Sequence, residues 1–319
     1  TTIGESFLIS CTNFNSSVTL SSNVTTIGNN FMSGCHTFNQ PLSIPSGMTS
    51  IGQNFMSSCF VFNQPITIPS GITVISSNFL YSCQAFNQPL TIPSGVTNVG
   101  DCFMQNCRYF NQTIVIPNGV TFIGRYFLAG CIRFDQSVTL SSGITAIAAD
   151  FMNGCTNFSQ PVVIPNNVTS IGDSFLYNCT RFNKSLTLPS SLQTIGRYFL
   201  QLCNSFNQPL TIPSGTTTIG MGFMNACTQF NQPLTIPSSI TSINANNFMY
   251  TCNAMTSTIT VEAPITVVGS GSPNTAFGTT VSTAPCYTTG ITLAGTYAND
   301  WKTRFPDRTA SPYRKLIVA

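Results

Sequence analysis

Residues Ile27–Pro45 read IGNNFMSGCHTFNQPLSIP, and the same phrase returns down the chain with few changes. Its cysteine recurs at positions 11, 35, 59, 83, 107, 131, 155, 179, 203, 227 and 252, at nine intervals of 24 residues and a last one of 25. The additional residue falls near Asn244 to Asn247. One phenylalanine column, Phe7 to Phe248, stands four residues before each cysteine. A second, Phe14 to Phe230, stands three residues after it. Eleven and ten members account for 21 of the 25 phenylalanines. A period held this strictly means a repeat array, because no single copy can bury its own apolar face and each must lean on its neighbours.

One copy divides into three pieces. Ile27, Phe31 and Cys35 are spaced by four, which predicts a short helical turn over Asn29–Cys35. Asp101, Asp150 and Asp173 open this piece in other copies, where a carboxylate suits an N-cap. Leu42 and Ile44 alternate with Ser43, the period of a strand with one face inward, and Pro41 and Pro45 keep it short. Ser46-Gly47 turns the chain, Met48 and Ile51 return it to the core, and Gly28 or its equivalent opens the next helical piece. The expected fold is a repeat solenoid of about eleven 24-residue coils. Each coil holds one short parallel strand and one short helical turn, and a C-terminal α/β cap closes the array.

Composition limits what such an array can do. Only 6% of residues are charged, so the surface is built from Ser, Thr, Asn, Gln and Gly. A net charge of +3 gives no electrostatic footprint for nucleic acid. No apolar run reaches the ~18–20 residues of a membrane helix, so no membrane insertion is expected in this segment. Thr1–Gly4 opens in mid-repeat, as a processed end or a fragment boundary would.

The pattern I-G-x-x-F-[ML]-x-x-C-x-x-F-N-Q-P-[LI]-T-I-P-S-G-V-T-x-I-G resembles the BspA-like class of leucine-rich repeat, over residues 1 to about 255. That class has Ala before the first Phe, where this chain has Asn54, Asn78 or Tyr126, and Leu where Phe38 stands. The resemblance implies surface-exposed binding or adhesion, in an extracellular, cell-surface or virion-surface location, and no reaction. It also covers ITLAGTYANDWKTRF and SPYRKLIV, which are similar to the closing segment of BspA-like arrays. The domains are therefore expected to be a solenoid over 1–255 and a cap over 256–319. Strand-like runs lie at Ser257–Val261, Ile265–Val268 and Gly290–Leu293, with a loop at Gly269–Pro273. Tyr297, Trp301 and Phe305 are spaced as one helix face.

Candidate chemistry is sparse. The cysteine column lacks C-x-x-C spacing, and His36 is the one histidine, so neither a metal nor another cofactor is expected. Buried reduced thiols suit the column better than coil-to-coil disulfides. Cys102 stands apart, with Cys286 a conceivable partner. Asn39 and its equivalents precede the strand and read as partners for backbone groups, although Asn111 and Asn183 lie in N-x-S/T. No nucleophile elbow, phosphate loop or paired carboxylate marks a catalytic site, so no enzyme is expected.

The copies differ mainly just after the cysteine. Arg108, Tyr109, Arg133 and Arg181 fall there, and exposed Tyr and Arg are the types enriched at binding hot spots. They form the candidate patch, for a protein or glycan on a host surface. The alternative is a structural role: a self-assembling filament or virion component whose low-charge faces contact other copies of itself.

Overall fold

The computed structural model describes residues 1–244, 247–255, 257, 259–262, 265–268, 291–293 and 317–318. They belong to two compact units, Thr1–Gln160 and Pro161–Ala319. Within each unit the coils stack as a β-solenoid of parallel-strand turns.

The helical turn is not there. No α-helix occurs among the described residues. In Asn29–Cys35 every second residue is left-handed instead, with φ of 60° at Asn30, 53° at Met32 and 79° at Gly34. An α-helix would send each N–H to the carbonyl four residues back. Here the donors leave the coil. Asn30 N–H donates to Gln53 O of the next coil at 2.8 Å, Met32 N–H to Phe7 O of the preceding one at 2.7 Å, and Gly34 N–H to Ser57 O at 2.7 Å. Left-handed backbone is least costly for Gly and Asn, which accounts for Gly34, Gly130 and Gly154 and for Asn30, Asn54 and Asn78 in this segment. The carboxylates read as helix caps serve the same coil-to-coil bonding. Asp101 accepts the N–H of Arg125 at 2.8 Å, and Asp173 that of Arg197 at 2.7 Å.

Two strand columns run through the coils. The Leu-Ser-Ile segment alternates as expected, with Leu42 and Ile44 buried and Ser43 exposed. It pairs, however, only in some coils: Ile114–Val115 with Val138–Thr139, Val162–Val163 with Leu186–Thr187, and Leu234–Ile236 with Ile259–Val261. The steadier sheet uses the return piece before the glycine, where Thr2–Ile3, Thr26–Ile27 and Ser50–Ile51 lie in parallel register.

Glycine decides where that sheet is continuous. The N–H of Gly28, Gly52, Gly100 and Gly124 donates to Ile3 O, Ile27 O, Ile75 O and Val99 O of the preceding coil, at 2.8–2.9 Å. A Cβ on Gly52 would stand 2.6 Å from Asn29 N, and one on Gly100 2.6 Å from Ser77 N. Nothing larger than hydrogen fits while the coils are this close. Ser76, Ala148 and Asn244 occupy the same column with a side chain. At each of them the sheet stops: Ser50–Ile51 is not paired to Val74–Ile75, Phe122–Ile123 not to Ala146–Ile147, and Thr218–Ile219 not to Ser242–Asn244. At Ser76 the hydroxyl donates to Ile51 O at 2.7 Å, replacing the glycine N–H.

The core is two columns of stacked rings. In the first unit Phe7, Phe31, Phe55, Phe79, Phe103, Phe127 and Phe151 follow one another at 5.1–5.8 Å. Phe14 to Phe158 do so at 5.9–6.2 Å. The second unit repeats both arrangements, as in Phe199–Phe223 at 5.5 Å and Phe206–Phe230 at 5.9 Å.

In the C-terminal region both ladders continue. Ile265–Val268 pairs with Ser242–Asn244, Ile291–Leu293 with Ile265–Val268, and Ile317–Val318 with Ile259–Val261. The expected cap helix at Tyr297, Trp301 and Phe305, the loop Gly269–Pro273 and Cys286 lie outside the described residues.

Candidate functional site

The turn that follows each cysteine builds an outward edge. Phe38 N–H donates to Cys35 O at 3.1 Å, which closes the turn and leaves the two residues between them facing solvent. Neighbouring turns are bonded to each other: Ala85 N–H to Phe60 O, Tyr109 N–H to Gln84 O, Arg133 N–H to Arg108 O, and Asn157 N–H to Ile132 O, at 3.0–3.2 Å. The variable column is therefore a row of side chains one coil apart.

In the first unit the row carries aromatic, aliphatic and cationic side chains. The His36 ring stacks on Phe60 at 4.4 Å. Val61, Tyr109 and Ile132 are 44%, 50% and 40% exposed. The Arg133 guanidinium lies over the Tyr109 ring, 4.5 Å from its centroid, a geometry worth ~0.5–1 kcal/mol at an exposed site. The structure thus brings together Arg108, Tyr109 and Arg133, all exposed. Arg181 is exposed too, at the same repeat position as Arg133, but it belongs to the second unit.

Two adjacent Arg-Tyr pairs, Arg125-Tyr126 and Arg197-Tyr198, differ in what their rings meet. Arg125 lies over Tyr126 at 5.3 Å, and its exposed guanidinium reaches the largely buried Asp150 carboxylate at 4.0 Å. Tyr198 instead meets Tyr177 edge-on at 6.4 Å.

The cysteine column is structural. The described cysteines are free. Each thiol from Cys35 onward points back one coil: Cys35 Sγ donates to Leu8 O at 3.1 Å, Cys59 to Met32 O at 3.2 Å and Cys83 to Met56 O at 3.1 Å. Small size, apolar character and a weak S–H donor all suit a buried carbonyl. Burial pushes the Cys35 thiol up to about 11 and those of Cys83, Cys155 and Cys252 up to about 12. Burial also raises Cys102, with the Asp101 carboxylate adding to the shift and Arg125 opposing it. Raised thiols are poor nucleophiles and poor ligands. Among the described residues no three His, Cys, Asp or Glu side chains gather as a metal site would need.

The asparagine column is structural as well. Asn39 Oδ1 accepts the N–H of Asn63 at 2.9 Å and the Gln64 amide at 3.3 Å, and Asn63 and Asn87 do the same for the next coils. Asn111 and Asn183, the two in N-x-S/T, are held the same way, accepting from Asp135 N–H and Asn207 N–H at 2.9 Å. Val74 and Phe122 escaped the sequence reading. They are 49% and 52% exposed on the outward face of the return-piece sheet, where Thr2, Thr26 and Ser50 stand in other coils. The signal was available as two large apolar residues in a column that mostly bears hydroxyls.

Coils of this length, sequence and inward ladder match the BspA type leucine rich repeat region, in overlapping stretches 1–135, 81–203 and 145–272. The chain belongs to the BspA-type leucine-rich repeat family. The match reaches across both units. Among solved structures, a leucine-rich repeat protein from Bacteroides ovatus is similar with a TM-score of 0.66 at 20% identity, over 85% of this chain. The chain spans 64% of that protein. A leucine rich cell surface protein from Faecalibacterium prausnitzii aligns with a TM-score of 0.45 at 18% identity, over 88% of this chain and 86% of that one. Comparison with curated proteins finds no match. Membership makes the chain a leucine-rich-repeat scaffold.

Proposed function

We propose that this BspA-type array is an adhesion scaffold that binds a protein or glycan on a host surface through the edge formed after its cysteines. The observation that carries this reading is the Arg133–Tyr109 stack beside Arg108, aromatic and cationic groups exposed on a surface otherwise nearly free of charge. Exposed Arg and Tyr supply large contact area and directed hydrogen bonds at little ordering cost. Arg181 offers the same chemistry in the second unit. Residues 256–319 are proposed to close the array, in keeping with the strands there that continue both ladders.

The test is adhesion of the purified chain to host cells, with Arg133→Ser and Arg181→Ser. Weakened binding with an unchanged fold is expected, and unchanged binding removes the edge. Self-assembly is the second reading, supported by the low charge and by Val115, 55% exposed on a paired outward strand. Regular polymers in electron micrographs of the purified chain would favour it over adhesion.

A further inference from the structure

A groove of about 260 Å³ lies on the outward face of the Val74–Asn98–Phe122 sheet. Gln53, Val74, Ile75, Ser76, Asn98 and Phe122 are among the residues lining it. Ser76 stands both in this lining and at the break in the sheet. Where the neighbouring coils carry Gly52 and Gly100, a Cβ would collide with the backbone of the coil before, so the Ser76 side chain holds its coil off from Ser50–Ile51.

The lining has a consistent chemistry. No residue in it is charged. Asp101, next in the chain to Gly100, already accepts the Arg125 N–H. Phe122 presents half its surface at one side of the groove and Val74 at another, with Asn98 between them in register on the intervening strand. The side-chain amides of Gln53 and Asn98 make no hydrogen bond among the described residues, so their donors and acceptors are free for a ligand. An apolar ring flanked by free amides, without charge, matches a pyranose: its C–H face lies against an aromatic ring while its hydroxyls bond to amides. The volume falls just below the ~300–1,000 Å³ typical of drug-sized pockets, which suits a short saccharide segment rather than a folded partner.

We infer that the Val74–Asn98–Phe122 groove is a subsite for a neutral saccharide, distinct from the Arg-Tyr edge. The inference rests on the adhesion reading for its biological setting and on the groove alone for its chemistry. An anionic sugar gains nothing there, because no cation lines the site.

The test uses the full chain, with cellotriose and N-acetylchitotriose as neutral probes and sialyllactose as the anionic one, by calorimetry and saturation-transfer NMR. Phe122→Thr and Ser76→Gly both move toward residues that other coils carry, so the fold is retained; circular dichroism checks it. The expected result is binding of at least one neutral trisaccharide, weakened about tenfold by Phe122→Thr and by Asn98→Ala. Ser76→Gly, which removes a side chain from the groove lining, should weaken it similarly, and Arg133→Ser should leave it unchanged. Overturning results are no neutral trisaccharide bound, sialyllactose bound more tightly than either, or binding indifferent to Phe122→Thr and Ser76→Gly. Host-cell adhesion that persists when no trisaccharide binds sinks the groove alone. A trisaccharide held in the groove by a chain that adheres to no host cell supports the groove and sinks the edge.

Discussion

The boundary before Gly100 and the boundary before Ser76 are one coil apart and built from the same repeat, yet only the first is closed. Across the first, Val74–Ile75 pairs with Asn98–Val99 and Gly100 N–H reaches Ile75 O at 2.8 Å. Across the second the strands are unpaired, and a serine hydroxyl bridges to Ile51 O. The interior does not notice. Phe55 and Phe79 still stack at 5.1 Å, and Asn54 N–H still donates to Ser77 O at 3.0 Å. The stack is thus held by two partly independent systems: a ring-and-turn interior that tolerates a local gap, and an outer sheet that one Cβ can open.

That comparison can be broken or sharpened in order of effect. If the interior is continuous at both boundaries, Phe79→Ala and Phe103→Ala should each cost about 3–5 kcal/mol in urea unfolding. A much smaller loss at Phe79 would mean that the Ser76 gap reaches the core. Gly124→Ala puts a Cβ at 2.5 Å from Asp101 N and should cost about 1–3 kcal/mol while opening a new gap, visible as faster amide exchange at Val99 and Phe122. Unchanged protection there would refute the glycine rule.

Alkaline pH tests the interior alone. Its buried thiols have folded pKa values raised to about 11 or 12 at Cys35, Cys83, Cys155 and Cys252. A thiol in the unfolded chain ionises near ~8.5. The folded state therefore holds its protons more tightly. This contribution to stability is full below about pH 8.5 and is lost as pH rises through the folded values. The melting temperature should fall from about pH 9 upward, and among the described cysteines maleimide should react with the folded chain mainly at Cys11 and Cys102, the partly exposed pair. The smallest effect belongs to Ser76→Gly. Glycine's ~0.5–1 kcal/mol entropic cost opposes the pairing it restores, so stability should barely change while exchange at Val74 and Ile75 slows.

Much of this was legible from residue columns. The array, the inward phenylalanines, the reduced cysteines and the bonding asparagines followed from a 24-residue period and from residue type. The backbone of Asn29–Cys35 was not. A spacing of four at Ile27, Phe31 and Cys35 is what a helix gives, and it is also what two pairs of alternating left-handed residues give when both ends face inward. The distinguishing signal was Asn30 and Gly34 in one segment, residues that tolerate positive φ and disfavour helix interiors. At the candidate edge the sequence picked out Arg108, Tyr109, Arg133 and Arg181, which are exposed, because Arg and Tyr stand out against Ser and Thr. It could not show that Arg133 lies on Tyr109, since the two are 24 residues apart. The groove escaped for a related reason: Val74, Asn98 and Phe122 line it together from places 24 residues apart.

The donors in this fold consistently reach across to the equivalent place in a neighbouring coil, as Asn63 N–H does to Asn39 Oδ1 and Gln53 N–H to Asn29 Oδ1. A coil therefore recognises a position in a pattern and not one particular neighbour. Unequal recombination that deletes or duplicates a whole 24-residue block would rejoin matching donors and acceptors, whereas a shift of a few residues would leave them unmatched. Copy number is then a quantity that selection can tune almost freely, and a lineage can lengthen its reach without redesigning a single contact.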